Sequence, residues 1–453
     1  MNSMEQRGNF GSKLGIVLAT AGSAVGLGNI WRFPYMTGQN GGAAFLLMYI
    51  ACIMLLGVPG MISEFIVGRH AQSNAARAYD KLSGGRPWKL VGYLGILTST
   101  IILGFYAVVA GWCLQYLYAS IAGQVQGDSQ YVQQYFVSFS SNAWKPVVCG
   151  LLFVVMTHLI VVRGVRKGIE KASKWLMPIL LVLLVVLVIA SCSLPGAIEG
   201  VKFLLQPDFS KINSHVMLEA LGQAFFSLSL GTACLCTYAS YFSHNTNLLH
   251  SAGQIALLDT LIAILSGLLI FPAAASVGIG ADSGPSLIFI TLPNVFQQAF
   301  GSVPAVGYVV SIMFYALLVF AALTSTISMH EIGTAFFSEE FRMPRKYAAW
   351  VVTILAGVLC LLCSWSVGAI HIEVMGLSLM DFCDQLTANF MLPMGGMLAC
   401  LFVGWYIPKQ VVHDEFTNFD QHNHNYYRIY LFAVRYVCPV CIILVFLHQL
   451  GIL

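Results

Sequence analysis

Apolar runs long enough to cross a bilayer recur along this chain from end to end, and no soluble fold could bury so many of them. A run of about 18 or more apolar residues reads as a membrane-spanning helix. Eleven are expected, over residues 12–38, 42–70, 88–122, 145–163, 171–193, 216–242, 252–280, 304–336, 346–366, 374–407 and 430–452. Composition agrees, since 58% of the 453 residues are hydrophobic and only 9% charged, against about a quarter charged in an ordinary soluble domain. A β-barrel would instead alternate apolar and polar positions over segments of about ten residues. The expected fold class is an all-α polytopic membrane protein, and no low-complexity tract, charge block or flexible linker divides it.

Placement of lysine and arginine says more about topology than the net charge of +3. With a cytoplasmic N-terminus, Arg7, Lys13, Arg69, Arg163, Arg345 and Arg435, with most of the other basic residues, fall inside, whereas only Lys145, Lys202 and Lys211 fall outside. The positive-inside rule then puts the N-terminus in and, after an odd number of spans, the C-terminus out. "GIVLATAG" after Arg7 and Lys13 resembles a signal peptide ending in an A-x-A site, but the apolar run continues past it, so cleavage is not expected. The twelve cysteines lie in or beside apolar spans, and the C-x-x-C pairs Cys360/Cys363 and Cys438/Cys441 have no nearby His or Asp in sequence, so they read as packing residues. The longest polar connections are 120–144, 194–215 and 408–429; the last ends in a His-rich tract that could bind metal but reads first as a solvated cytoplasmic loop.

Two spans carry interiors that a lipid-facing helix would not tolerate. The first contains "GSAVGLGNIWRFP" (22–34) and the sixth "GQAFFSLSLGTACLCTYASY" (222–241). At 1.5 Å per residue, Gly22 to Gly28 fall near the bilayer midplane and Arg32 close to the outer interface. Glycines there let the helix unwind, and freed backbone survives only where it is buried in protein or lines a cavity. Unwound carbonyls are hard oxygen ligands for a small cation, and the N-terminus of a resuming half-helix attracts a carboxylate. Gly22-x-x-x-Gly26 is also a helix-packing contact, but packing leaves Gly28, Asn29 and Arg32 unexplained. Interrupted helices five spans apart point to a transporter built from two repeats of opposite topology, about 12–193 and 216–407, with 430–452 as an accessory helix.

"GSAVGLGNIWRFPY", "NGGAAF" (40–45), "EFIVGR" (64–69), "GQAFFSLSLG" and "LTSTIS" (323–328) together resemble the neurotransmitter:sodium symporter family, in its bacterial amino-acid-transporting branch, from residue 7 to about 405. The resemblance implies a LeuT-type fold of 5+5 inverted repeats, discontinuous helices one and six, alternating access, and two coupled Na+ ions. It implies a first sodium site from Ala24, Asn29, Ser227 and Asp259, the last standing where Asn is usual. The second would use Gly22, Val25, Ala321, Thr324 and Ser325. A substrate carboxylate would meet Leu27, Gly28 and Tyr106, and its amino group the carbonyls of Ala24, Phe226 and Ser227 beside Ser229. Ile102, Phe226, Thr232, Ser325 and Met329 would line the side-chain pocket. Arg32 and Asp381 resemble the outer gate, and Arg7 and Glu339, near Tyr241, the inner one. Glu64 is expected to accept hydrogen bonds from unwound span-six backbone, while His330 and Glu331 receive no role.

Two departures sharpen the expected chemistry. Relatives that carry amines place an Asp at the position of Gly26, so the substrate here is expected to bring its own carboxylate. Ala263 stands where chloride-dependent relatives have a Ser, and Asp259 supplies a fixed negative charge, so no chloride is expected. The expected function is sodium-coupled symport of a neutral, hydrophobic L-amino acid into a bacterial cell across its cytoplasmic membrane. Alternatives are another zwitterion such as a β- or γ-amino acid, or a transporter-like sensor or channel. No nucleotide motif, catalytic Ser/His/Asp set or nucleic-acid partner is expected; the partners are the amino acid and the lipid bilayer, with oligomeric state left open. Many relatives have a twelfth span, whereas eleven are expected here.

Overall fold

In hydrocarbon every backbone N–H and C=O must find a partner within the protein, and the chain meets that demand with helices almost throughout. The computed structural model describes residues 9–127, 129–278, 287–301, 303–368, 370–421 and 424–449. Among the described residues, eight helices are long and apolar enough to cross a membrane, rising to ten if each of two bent helix pairs counts as one span. One bent pair is the first span, Lys13–Ala24 and Gly28–Gln39, kinked by 54°. The other joins Gln130–Ser140 to Lys145–Val161 at 73°, so the polar connection 120–144 contains a helix of its own. The sixth span is two half-helices, Ser214–Ser227 and Cys234–Ala239, neither long enough to cross alone. Among the described residues the only strands are a two-residue hairpin, Glu373–Val374 with Leu377–Ser378.

Burial sorts the spans into a centre and a rim. In the third, Lys89–Ile121, 72% of the most apolar window is buried, against 28% in the fifth, Val165–Cys192. Trp175, Val182 and Ile189 on the fifth are exposed at seven-residue spacing, one stripe facing away from the protein. The third span packs on the eighth, Pro304–Glu340; the first half of span one packs on the eighth, and both of its halves pack on the seventh, Leu248–Ser276. Small residues allow the closest approaches. Gly111 of the third span lies against Gly150 of the fourth, and Gly68 of the second span, Ala43–Ala71, lies against the Cys236 carbonyl of span six.

The break in span six is held from outside it. Ser229, Gly231 and Ala233 all take left-handed backbone conformations (φ 53°, 82° and 60°), which only glycine adopts at little cost. Glu64, buried on the second span, accepts from Gly231 N–H at 2.7 Å and from Cys236 N–H at 3.4 Å, in the role expected for it. Ser99 Oγ donates to the Thr232 carbonyl at 2.6 Å. These side chains replace the intrahelical bonds that unwinding gives up.

The connection 408–429 departs from expectation. Its helix Lys409–Thr417 buries Val412, Glu415, Phe416 and Thr417, and Arg69 at the end of the second span is fully buried against it. Arg69 Nε pairs with Glu415 Oε2 at 2.6 Å, Arg69 Nη2 donates to the Glu415 carbonyl at 2.6 Å, and His70 Nδ1 lies 3.1 Å from Glu415 Oε1. Burial alone would push the Glu415 carboxyl up, but the His70 hydrogen bond and the Arg69 charge overcome that and hold it below the ordinary value. Breaking such a pair from one side leaves an uncompensated charge. Glu415→Ala should therefore lower stability by about 3–5 kcal/mol, read as thermal unfolding of the purified protein in detergent. Because the folded carboxyl is depressed, its contribution is complete above the unfolded value of about 4.3 and fades as pH falls through the folded one. The variant and the parent should therefore converge in acid; a constant difference down to low pH would remove the ion pair as the cause.

Candidate functional site

The first span stops at Ala24 and resumes at Gly28, leaving residues 25–27 to bridge the two halves. In a continuous helix Gly26 and Leu27 N–H would close turns onto Gly22 and Ser23. Here Gly26 N–H donates to Asn29 Oδ1 at 3.2 Å and Leu27 N–H to Tyr106 Oη at 3.1 Å. The helix resumes through one wide turn, with Phe33 N–H bonding back to the Gly28 carbonyl. A Cβ on Gly28 would meet the Phe226 ring at 3.1 Å, and one on Gly26 would collide with Ser325 Oγ and lie 3.1 Å from Tyr106 Oη. Both glycines therefore sit where spans three, six and eight come close, and a side chain at either position would have to displace Ser325, Tyr106 or Phe226. Position 26 as folded has no room for an aspartate.

Beside this break lies Asp259, fully buried on the seventh span, Leu248–Ser276. Asn29 Nδ2 donates to Asp259 Oδ1 at 2.8 Å, and Ser227 Oγ lies 3.0 and 2.9 Å from the two carboxylate oxygens. Tyr49 Oη on the second span reaches Asp259 Oδ2 at 3.0 Å and Ser227 Oγ at 2.9 Å. All of these neighbours are neutral, and among the described residues no Lys, Arg or His forms an ion pair with Asp259. A buried carboxylate without a cationic side chain is poised to share its charge with a small cation. The structure brings Asn29, Ser227 and Asp259 together as the resemblance implied. Tyr49, missed in the sequence reading, sits in an apolar run where nothing distinguishes it from packing.

The second expected cation set also converges. Thr324 Oγ1 and Ser325 Oγ both lie 3.3 Å from the Val25 carbonyl, and Thr324 Oγ1 lies 2.9 Å from that of Ala321. A Cβ on Gly22 would touch Thr324 Cβ at 3.4 Å. These are neutral oxygen donors from two spans, suited to a hard monovalent ion.

A cavity of about 310 Å³ runs from Leu27, Gly28, Tyr106 and Phe226 outward to Arg32, Asp381 and Asp384. Its wall does not include Ile102, Thr232, Ser325 or Met329, four of the five residues expected to line a side-chain pocket. Thr232 turns away, its hydroxyl donating to the Ser229 carbonyl at 2.7 Å within the span-six break. Ser229 Oγ donates to the Ser23 carbonyl at 3.2 Å, tying the two broken spans together. The Phe226 carbonyl accepts Ser229 N–H at 3.1 Å.

The expected gates are partly redrawn. The Arg32 guanidinium stacks over the Phe226 ring, 4.2 Å from its centroid, on the wall of that cavity. Asp381 accepts from Ser378 Oγ at 2.7 Å at the start of its helix, and among the described residues no ion pair joins it to Arg32. Asp384, three residues further, lines the same cavity as Arg32 and Asp381, and among the described residues neither acid forms an ion pair with Arg32. On the opposite side Arg7 lies outside the described residues. Glu339 Oε2 accepts from Asn74 N–H at 2.7 Å and Asn74 Nδ2 at 3.1 Å, while Tyr241 Oη donates to Glu331 Oε1 at 2.7 Å. Glu331, given no role from sequence, is fully buried and paired with Arg345, whose Nη1 donates to it at 3.0 Å. Phe10 packs edge-on against Tyr238 and Tyr241, so the N-terminal segment covers this end of span six.

The profile of the sodium:neurotransmitter symporter family matches residues 7–143 and 132–452. A sodium-dependent transporter of Bacillus subtilis, YhdH, is 39% identical over 449 residues, covering 98% of each chain. One from Haemophilus influenzae is 33% identical over 468 residues, 98% of this chain and 99% of its own. Among solved structures, that of MhsT in complex with L-phenylalanine matches with a TM-score of 0.89 at 41% identity, over 98% of this chain and 100% of that one. With the family profile running nearly end to end over a LeuT-type helical fold whose first and sixth spans are broken, the chain belongs to the sodium:neurotransmitter symporter family, a family of membrane transporters and not of enzymes.

Proposed function

We propose that this protein couples the inward movement of two Na+ ions to uptake of a neutral, hydrophobic L-amino acid, without chloride, across a bacterial cytoplasmic membrane. The observation that carries the reading is the buried Asp259 carboxylate, held by Asn29, Ser227 and Tyr49 and, among the described residues, by no cationic side chain. One Na+ at Ala24, Asn29, Ser227 and Asp259 would neutralise that acid, and a second would sit among Gly22, Val25, Ala321, Thr324 and Ser325. The substrate carboxylate would take Leu27 N–H in exchange for Tyr106 Oη, with Gly28 N–H beside it at the resuming half-helix, where the dipole favours an anion. A hydrophobic side chain is supported by the bound L-phenylalanine of the 41%-identical structure and by the apolar wall of Phe105, Val109 and Phe226 on the cavity. Gly26, with no room for an acid, supports a substrate that carries its own carboxylate.

The two repeats, 12–193 and 216–407, would exchange access on the two sides, with Arg32, Phe226 and Asp381, beside Asp384, closing one and the Tyr241–Glu331–Arg345 network, with Glu339 and Arg7, the other. The N-terminus would lie in the cytoplasm and the C-terminus outside.

In proteoliposomes kept free of chloride, labelled neutral amino acids should accumulate above equilibrium only with an inward sodium gradient. Equal uptake with and without the gradient would remove sodium coupling. Asp259→Asn deletes the fixed charge, so chloride-free uptake should fall by at least tenfold, since an unpaired buried charge is worth several kcal/mol, and added chloride should restore part of it. Unchanged chloride-free uptake in that variant would overturn the charge-balancing role.

A further inference from the structure

The sixth span begins with a pair of ligand-type residues that the proposed transport cycle does not use. His215 and Glu219 stand four residues apart on half-helix Ser214–Ser227, hence on one face. Asn213 caps that helix by accepting from Val216 N–H at 2.9 Å, which fixes the first turn. His448, near the end of the last span, comes up against them from a segment more than 200 residues away in sequence. His215 Nδ1 lies 3.2 Å from His448 Nε2, and His448 Nε2 lies 3.9 Å from Glu219 Oε1. One ligand atom from each of the three falls within 4.8 Å of the others. Tetrahedral zinc, with bonds of about 2.0–2.2 Å, holds its ligand atoms about 3.3–3.6 Å apart, so small side-chain adjustments would complete three corners and leave the fourth to water.

We propose that His215, Glu219 and His448 form a binding site for a borderline-soft divalent metal of the Zn2+ class, which clamps the first half of span six to the last span and slows transport. Two imidazoles and one carboxylate suit Zn2+ and disfavour Mg2+ or Ca2+, which prefer all-oxygen sites. One of the two facing nitrogens carries the proton of their hydrogen bond, and metal binding through both would move that proton to the same ring's other nitrogen, so a neutral pair binds the metal as two neutral imidazoles. The clamp acts on transport through the helix it holds. Phe226 and Ser227, at the far end of the same half-helix, contact Arg32 and Asp259 respectively. A cavity of about 330 Å³ lies behind the cluster, bounded by Arg32, Leu218, Glu219, Phe226, Ile442 and His448. A fixed His448 would therefore restrain the wall that the gate must move.

A second group, His413, Asp420 and His424, also places ligand atoms together, but on one solvent-facing connection, and is silenced as a control. In a His413→Ala/His424→Ala background, the purified full-length protein should bind one Zn2+, with Co2+ giving the visible bands of a tetrahedral site. His215→Ala or His448→Ala should weaken Zn2+ binding by at least ~10–100-fold, the loss that even outer-sphere changes produce, and His448→Cys, which keeps a zinc ligand, should retain it. Undiminished affinity in both alanine variants would overturn the site and leave the two histidines as a hydrogen-bonded pair. The regulatory half rests on the proposed symport: Zn2+ should slow sodium-driven uptake in the background protein, reversibly with chelator, and not in His448→Ala. Zn2+ that binds at this site and leaves uptake unchanged would overturn the clamp, whereas the binding measurement stands even if no symport is found.

Discussion

Two helices are broken inside a membrane-spanning protein, and every backbone group released at those breaks must be satisfied without water. Each unsatisfied group in hydrocarbon costs several kcal/mol, so the breaks dictate where the polar side chains go. Glu64 takes Gly231 and Cys236 N–H, Ser99 takes the Thr232 carbonyl, and Tyr106 takes Leu27 N–H. Ser229 reaches across to the Ser23 carbonyl, so the two breaks also satisfy one another. The glycines follow from the same constraint, because Gly26 and Gly28 sit where Ser325, Tyr106 and Phe226 have come in close.

Charge placement is the second consequence. Arg69–Glu415 and Arg345–Glu331 are compensated pairs, each with one or both members fully buried, and they tie connections and spans together away from the breaks. Asp259, like Glu64, has neutral hydrogen-bond partners, but they are side chains from spans one, two and six gathered beside the break in the first span. Removing a neutral donor from such a carboxylate costs about 1–3 kcal/mol, whereas a cation brought to it changes the electrostatics of the whole cluster. On the proposed reading, the paired charges hold the fold and Asp259 takes the cation.

Much of this was legible in the sequence, and the failures have physical reasons. Helix breaks show because glycine and polar residues cannot otherwise occupy a bilayer midplane, so residues 22–34 and 222–241 stand out without a structure. Glu64 was legible too, since a carboxylate in an apolar span must have backbone donors. Asp384 was not singled out, because nothing in the sequence distinguishes it, and only the folded chain puts it on the same cavity wall as Arg32 and Asp381. Tyr49 has no sequence signal at all, and the Arg69–Glu415 and His215–His448 contacts join residues hundreds of positions apart. Thr232 shows another limit: in an unwound segment a side chain's direction follows local turn geometry, which helical periodicity cannot supply.

The most direct test is equilibrium binding of labelled L-phenylalanine to the purified protein, titrated with Na+ at constant ionic strength in chloride-free buffer. If Asp259 and the two broken spans form a shared site for cation and amino acid, binding should be saturable, should vanish without Na+, and should rise steeply as Na+ is added. Saturable binding that is indifferent to Na+ would contradict a shared site and leave the buried carboxylate as a structural group.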